Sequence, residues 1–166
     1  MTTVIFSHGQ ESGPSGTKIR AMSEVAEGLG CAVLSIDYQG IADPTERVDK
    51  LLQEGQSVDD RLILVGSSMG GHVATAAAEG LGAVGLFVLA PAYFMPGNEH
   101  LTPAAPAIPT YIVHGWHDDV VPVENSIRYA RESSATLHIV DGDHRLTSNI
   151  AEINTQLAQF IISLSV

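Results

Sequence analysis

Short apolar runs alternate with segments of helical period from one end of the chain to the other. The runs at 3–7, 31–36, 61–66, 84–90, 110–114 and 136–140 are rich in Val, Ile and Leu without strict alternation, as in strands covered on both faces. Between them, Ile19, Met22, Ala26 and Leu29 form one helical stripe that ends at Gly30. Val48, Leu51 and Leu52 mark a second helix, entered through Asp43-Pro44, where Asp can cap and Pro can take the first helical position. A helix of small residues runs from Ser68 to about Glu79 and another spans 123–132; Ile150, Ile153, Leu157, Phe160, Ile161 and Leu164 mark the last. Strands separated by helices in this way predict an α/β three-layer sandwich around an about six-stranded, mainly parallel sheet.

One stretch resists the pattern. Pro91, Pro96, Pro103, Pro106 and Pro109 block helix interiors and central strands alike, so 91–109 reads as a loop over the edge of the sheet. A loop of that length in so small a domain is more often functional than idle.

Composition narrows the class. The chain has 166 residues, 45% hydrophobic, which predicts a single domain over 1–166 with a core that needs no disulfide or metal staple. Eight Lys and Arg against 19 Asp and Glu give a net charge of -11, with no basic cluster, so phosphate attraction cannot drive nucleic-acid binding. The lone Cys31 lies in the apolar run Cys31-Ala32-Val33-Leu34 and reads as a packed thiol rather than a nucleophile. Val4-Ile5-Phe6 is too short for a secretory hydrophobic region, and Leu81 to Met95 is broken by Gly82, Gly85 and Pro91, so the expectation is a cytoplasmic protein with no membrane role. A monomer or homodimer is expected.

The chemistry is concentrated in a few places. Leu62-Ile63-Leu64-Val65 runs into Gly66-Ser67-Ser68-Met69-Gly70-Gly71 and then a helix, which is G-x-S-x-G at a strand-to-helix turn. There Ser68 Oγ would project from the carboxyl end of the sheet, above a helix N-terminus able to face a developing oxyanion. A serine needs a base, and the base an orienting acid. The strand ending at His114 is followed by Gly115-Trp116-His117-Asp118-Asp119-Val120-Val121-Pro122, and the strand ending at Val140 by Asp141-Gly142-Asp143-His144. Acid and histidine thus follow the serine in chain order, each after a later strand.

With Ser7-His8-Gly9 after the first strand, these pieces resemble the α/β-hydrolase superfamily. More narrowly, they are similar to its small capless carboxylesterases and acyl-thioesterases, including the YqiA-like bacterial esterases. The resemblance spans residues 7 to 144 and implies Ser68 as nucleophile, Asp118 as acid, His144 as general base, and the N–H groups of Gln10 and Met69 as oxyanion hole. Asp119 is the rival acid; the family spacing, four residues before Pro122, selects Asp118. The implied reaction is hydrolysis of carboxylic esters or thioesters of small acyl groups through an acyl-enzyme, with no cofactor. A peptidase or C–C hydrolase sharing the triad is an alternative, as is a binding protein that keeps the fold without catalysis.

The family's larger members carry two further strands and a helical lid, for which this chain has no room, so 91–109 would form a low rim. Tyr93, Phe94 and Trp116 are candidates for lining the substrate site, with core packing the alternative for Trp116. His8 would brace the oxyanion loop or line the site, and His72 would be structural or rim-lining.

Other signals point elsewhere. Gly80-Leu81-Gly82-Ala83-Val84-Gly85 matches G-x-G-x-x-G but lies after a helix and before a strand, the reverse of the dinucleotide context. Gly13-Pro14-Ser15-Gly16-Thr17-Lys18 reads as the turn into the first helix. His114, His117, Asp118 and Asp119 could be drawn as a metal cluster, yet His114 should point back into the strand end, and the expectation is no metal.

Overall fold

The computed structural model describes residues 1–165; Val166 lies outside them. Six strands form one parallel sheet: β1 (Thr2–Ser7), β2 (Ala32–Ile36), β3 (Arg61–Ser67), β4 (Gly85–Leu89), β5 (Thr110–Gly115) and β6 (Thr136–Val140), in the order β2-β1-β3-β4-β5-β6. Five helices connect or flank them: α1 (Thr17–Gly28), α2 (Pro44–Gly55), α3 (Met69–Ala77), α4 (Val123–Ser133) and α5 (Ile150–Leu164). This is the predicted three-layer α/β architecture, with every strand pair parallel.

The helices form where the sequence patterning puts them. Asp43 Oδ1 accepts from Thr45 N at 3.0 Å, with Pro44 opening α2. Gly30, at φ 84°, takes the left-handed conformation after α1. Their apolar stripes divide between the two faces of the sheet. Met22 and Ala26 of α1 and Ile153, Leu157 and Phe160 of α5 pack on one side with Phe6, Val65 and Phe87; Leu51 of α2, Val73 and Ala74 of α3 and Tyr129 of α4 pack on the other with Ile5, Leu64 and Val88. Strands covered twice explain the unalternating apolar runs.

The segment 91–109 departs from expectation. It links β4 to β5, both interior strands, so it does not run along an edge. It lies on the α4 side, where Asn125 Nδ2 donates to Tyr93 O at 2.9 Å and Tyr129 Oη donates to Pro103 O at 3.1 Å. Its one regular piece is a single 3-10 turn at Glu99–Leu101. The loop stands where a crossover helix would otherwise cover β4 and β5, a position that proline density closes to a helix. Gly80 to Gly85 forms the tight connection from α3 to β4, with Gly82 at φ 60°, and Gly13 to Gly16 leads into α1.

Candidate active site

Ser68 sits between β3 and α3 at φ 54° and ψ -119°, a region of backbone space that glycine occupies easily and serine does not. The turn is held from several directions. Ser68 N donates to Leu89 O at 2.9 Å, and the Ser68 carbonyl accepts from Gly71, His72 and Ala92. The turn also depends on close backbone approach. A Cβ on Gly70 would lie 2.0 Å from Ser7 O, and one on Gly66 would lie 2.3 Å from Gly70 O.

The loops after β5 and β6 bring the other two groups. Asp118 Oδ1 accepts from Val120 N and Val121 N, both at 2.8 Å, and Asp118 Oδ2 accepts from His144 Nδ1 at 2.8 Å. With the Nδ1 proton committed to the carboxylate, Nε2 of His144 faces Ser68 Oγ at 3.0 Å as an acceptor. The carboxyl group of Asp118 is fully buried, whereas His144 keeps some contact with solvent and Asp119 is exposed. Of the two adjacent aspartates, Asp118 therefore meets the imidazole. The two loops touch backbone to backbone: a Cβ on Gly115 would lie 2.2 Å from Gly142 O, and His117 N donates to that same carbonyl at 3.0 Å.

The loop after β1 completes the surroundings of the serine. A Cβ on Gly9 would stand 3.6 Å from Ser68 Cβ, so this loop flanks Ser68. Among the described residues, neither Gln10 N nor Met69 N has a backbone acceptor. His8, with no exposed surface, donates from Nδ1 to Gly9 O at 2.7 Å and accepts from Tyr38 N at Nε2 at 2.8 Å. It braces the loop and cannot touch substrate, which corrects the lining role.

Arg47 was not anticipated from the sequence. It is buried, with Nη1 3.3 Å from His8 O and 3.2 Å from Gly9 O and Nε 2.7 Å from Ile41 O, and its guanidinium lies over the Tyr38 ring. The available signal was its place on the apolar stripe of α2, one turn before Leu51, where a cation is unexpected unless its donors are satisfied.

His114 also differs from expectation. It is buried at the strand end as predicted, but the chain turns back so that Asp118 Oδ2 lies 3.0 Å from its Nε2. That nitrogen also faces Val121 O at 2.9 Å, while Nδ1 lies 2.7 Å from Ser126 Oγ. Two acceptors at Nε2 place the proton there, leaving Nδ1 to accept from Ser126. Burial holds the imidazole below its usual range, with Val121 O and Asp118 opposing. His117 points away from this group, pairing with Asp141 at the surface.

Two of the aromatic candidates are elsewhere. Tyr93 is fully buried, stacked on Tyr129 and bonded through its hydroxyl to Thr75 Oγ1 at 2.6 Å, so it belongs to the core and not to a substrate wall. Phe94 lies under the Arg128 guanidinium, 3.8 Å from the ring centroid, and lines a cavity of about 260 Å3 with Thr102, Pro103 and Tyr129 that does not include Ser68, Asp118 or His144. Trp116 is 57% exposed, which removes its core-packing alternative. His72, in the first turn of α3, is half-buried near the Ala92 carbonyl, and burial lowers its pKa. Cys31 is partly buried, and burial raises its thiol pKa, as suits a packed thiol.

The buried histidines make stability depend on pH. Unfolded imidazoles titrate near 6.5, whereas burial, the largest influence at both His8 and His114, lowers the folded values. Below about pH 6.5 the unfolded chain then binds protons that the native state refuses, so stability is present at neutral pH and lost on acidification. Two such groups give a slope of up to about 3 kcal/mol per pH unit. Urea midpoints measured from pH 7.5 down to 5.5 are expected to hold steady at first and then fall; a constant midpoint would mean that the folded protein takes up protons at these rings as readily as the unfolded chain does.

A parallel sheet presenting serine, histidine and aspartate at the carboxyl ends of its strands defines a hydrolase. The chain belongs to the alpha/beta hydrolase family, whose domain profile matches residues 1–163. A hydrolase of the alpha/beta superfamily from Xanthomonas campestris pv. campestris is 30% identical, with TM-score 0.90 over 97% of this chain and 98% of that one. An alpha/beta serine hydrolase without lid from Xanthomonas campestris shares the fold at 18% identity, with TM-score 0.83 over 98% and 81% of the two chains. Mouse alpha/beta hydrolase domain-containing protein 10 does so at 23% identity, with TM-score 0.80 over 98% and 90%. No curated protein matches the chain significantly. No helix among the described residues is long and apolar enough to cross a membrane.

Proposed function

We propose that this protein is a serine hydrolase that cleaves carboxylic esters or thioesters of small acyl groups through an acyl-enzyme. The observation that carries the reading is the unbroken relay from Asp118 Oδ2 to His144 Nδ1 at 2.8 Å and from His144 Nε2 to Ser68 Oγ at 3.0 Å.

Each group has a defined task. His144 takes the Ser68 proton as Oγ attacks the carbonyl carbon, and Asp118 holds the imidazole in the Nδ1–H tautomer and stabilises its cationic form. The carbonyl oxygen, now negative, is met by the N–H groups of Gln10 and Met69, which have no backbone partner to give up. His144 returns the proton to the departing alkoxide or thiolate; water activated by the same imidazole then releases the acid and regenerates Ser68. Nucleophile, base, acid and oxyanion donors all belong to this chain, so the reaction needs no cofactor. The proposed setting is the cytoplasm, as a monomer or homodimer, with a small-molecule ester or thioester as the partner.

The test is a series of p-nitrophenyl esters from acetate to octanoate, combined with fluorophosphonate labelling and mass mapping of the adduct. Turnover that is best for short chains, with the label on Ser68, is the expected result. Absence of both turnover and labelling would sink the proposal and leave a binding protein on a hydrolase fold.

A further inference from the structure

Lys18 stands in the first turn of α1, at the end of the run Gly13-Pro14-Ser15-Gly16-Thr17-Lys18. Its ammonium donates to Ser67 Oγ at 3.2 Å, and Ser67 is the covalent neighbour of Ser68. The side chain is half-buried, and burial lowers its pKa, with the Asp143 and Asp118 charges opposing and Arg145 reinforcing.

The carboxylates of this neighbourhood are already engaged. Asp118 is committed to His144 and to two backbone N–H groups, and Asp143 Oδ1 accepts from Arg145 N and Leu146 N. Among the described residues, no carboxylate lies within ion-pair distance of Lys18. An ammonium offers three N–H donors, and Ser67 takes one. A desolvated cation without a counter-ion is costly, and this chain has 19 carboxylates for eight Lys and Arg from which one could have been supplied. The charge is left without a counter-ion beside Ser67, the residue before Ser68.

We propose that Lys18 binds an anionic group, such as a carboxylate, on the substrate, so that the ester or thioester cleaved here is negatively charged close to its scissile carbonyl. This rests on the serine hydrolase reading. The net charge of -11 repels anions at long range, which makes a local cation the means by which such a substrate would be held. Either side of the ester can carry the charge, and the two sides are separable by experiment.

The experiment compares kcat/KM for matched pairs. Mono-p-nitrophenyl adipate against p-nitrophenyl hexanoate places the charge on the acyl group; 3-carboxyphenyl acetate against 3-carbamoylphenyl acetate places it on the leaving group. The charged member of at least one pair is expected to be favoured by about 10- to 100-fold, the range of a hydrogen bond to a charged group. Lys18→Met should bring that ratio to about 1, with the loss falling on the charged ester, and Lys18→Arg should restore most of it. Arg145→Met, which removes an exposed cation on the His144 loop, should keep the ratio. Equal rates within both pairs in the wild type would overturn the inference, as would a Lys18→Met variant that slows both members alike, since the lysine would then only prop Ser67. If Ser68 takes the fluorophosphonate label while the rates stay equal, the inference alone fails; if it neither labels nor turns over any ester, the hydrolase reading fails with it.

Discussion

Replacing Ser68 by alanine is expected to lower kcat for ester hydrolysis by about 10^4- to 10^6-fold while the protein stays folded. The loss is large because the serine, histidine and aspartate act as one unit, so removing the nucleophile strands the other two. Stability should barely change, since alanine keeps the Cβ and with it the cost of holding φ at 54°. Ser68→Gly separates the two effects. Glycine is at ease at this φ and ψ, so that variant should be equally inactive and more stable by about 1 kcal/mol. Kinetics with p-nitrophenyl acetate and melting by calorimetry check both halves. If more than a few per cent of activity survives in the alanine variant, Ser68 is not the nucleophile.

The second large effect falls on a residue with no side chain. A Cβ on Gly70 would lie 2.0 Å from Ser7 O and 2.5 Å from His8 O, far inside van der Waals contact. Ser7 ends β1, which is paired on its two sides with β2 and β3, and His8 follows it directly, so the backbone here has little freedom to yield. Gly70→Ala must therefore push α3 away from the sheet. A cost of about 3–5 kcal/mol is expected, at the severe end for a single substitution, which in a chain of this size lowers Tm by roughly 10–15 °C. Activity should fall as well, because α3 begins at Met69, whose N–H is a proposed oxyanion donor. Gly28→Ala is the control: nothing lies within 4 Å of the added Cβ and the residue is helical, so it should stabilise slightly. A Gly70→Ala protein melting within a degree or two of wild type would mean that α3 and β1 are not in contact here.

The fold was legible because the sequence states it twice, in apolar runs and in helix signals. Asp43-Pro44 and Gly30 mark their helix ends by local chemistry, which survives any tertiary context. Ser68 was legible because G-x-S-x-G follows a strand and opens a helix, and an acid and a histidine follow later strands in order; the choice of Asp118 over Asp119 came from the resemblance to the hydrolases. What the sequence could not convey was the face on which an aromatic side chain would settle. Tyr93 and Phe94 follow β4, where either a substrate wall or a core is possible, and the outcome turned on Tyr129 of α4, more than 30 residues away, which stacks on Tyr93. Trp116 escaped because the loop after β5 is held by backbone bonds from Trp116 N to Val140 O and from His117 N to Gly142 O, with no need of the indole. The contact between His114 and Asp118 required the chain to fold back over four residues, and Arg47 required knowing that backbone carbonyls would receive its donors. None of these follows from periodicity.

The meeting of Gly115 with Gly142 has a consequence for how this scaffold can diversify. Since peptide groups set the spacing between the loops that carry Asp118 and His144, the distances between these two residues and Ser68 owe little to the neighbouring side chains Trp116, His117, Asp119 and Asp141, all of which are exposed. Those four positions can therefore change while Ser68, Asp118 and His144 keep their separation, whereas Gly115, whose Cβ would run into the Gly142 carbonyl, is closed to exploration. Variation and fixed geometry fall to different residues of the same short loops.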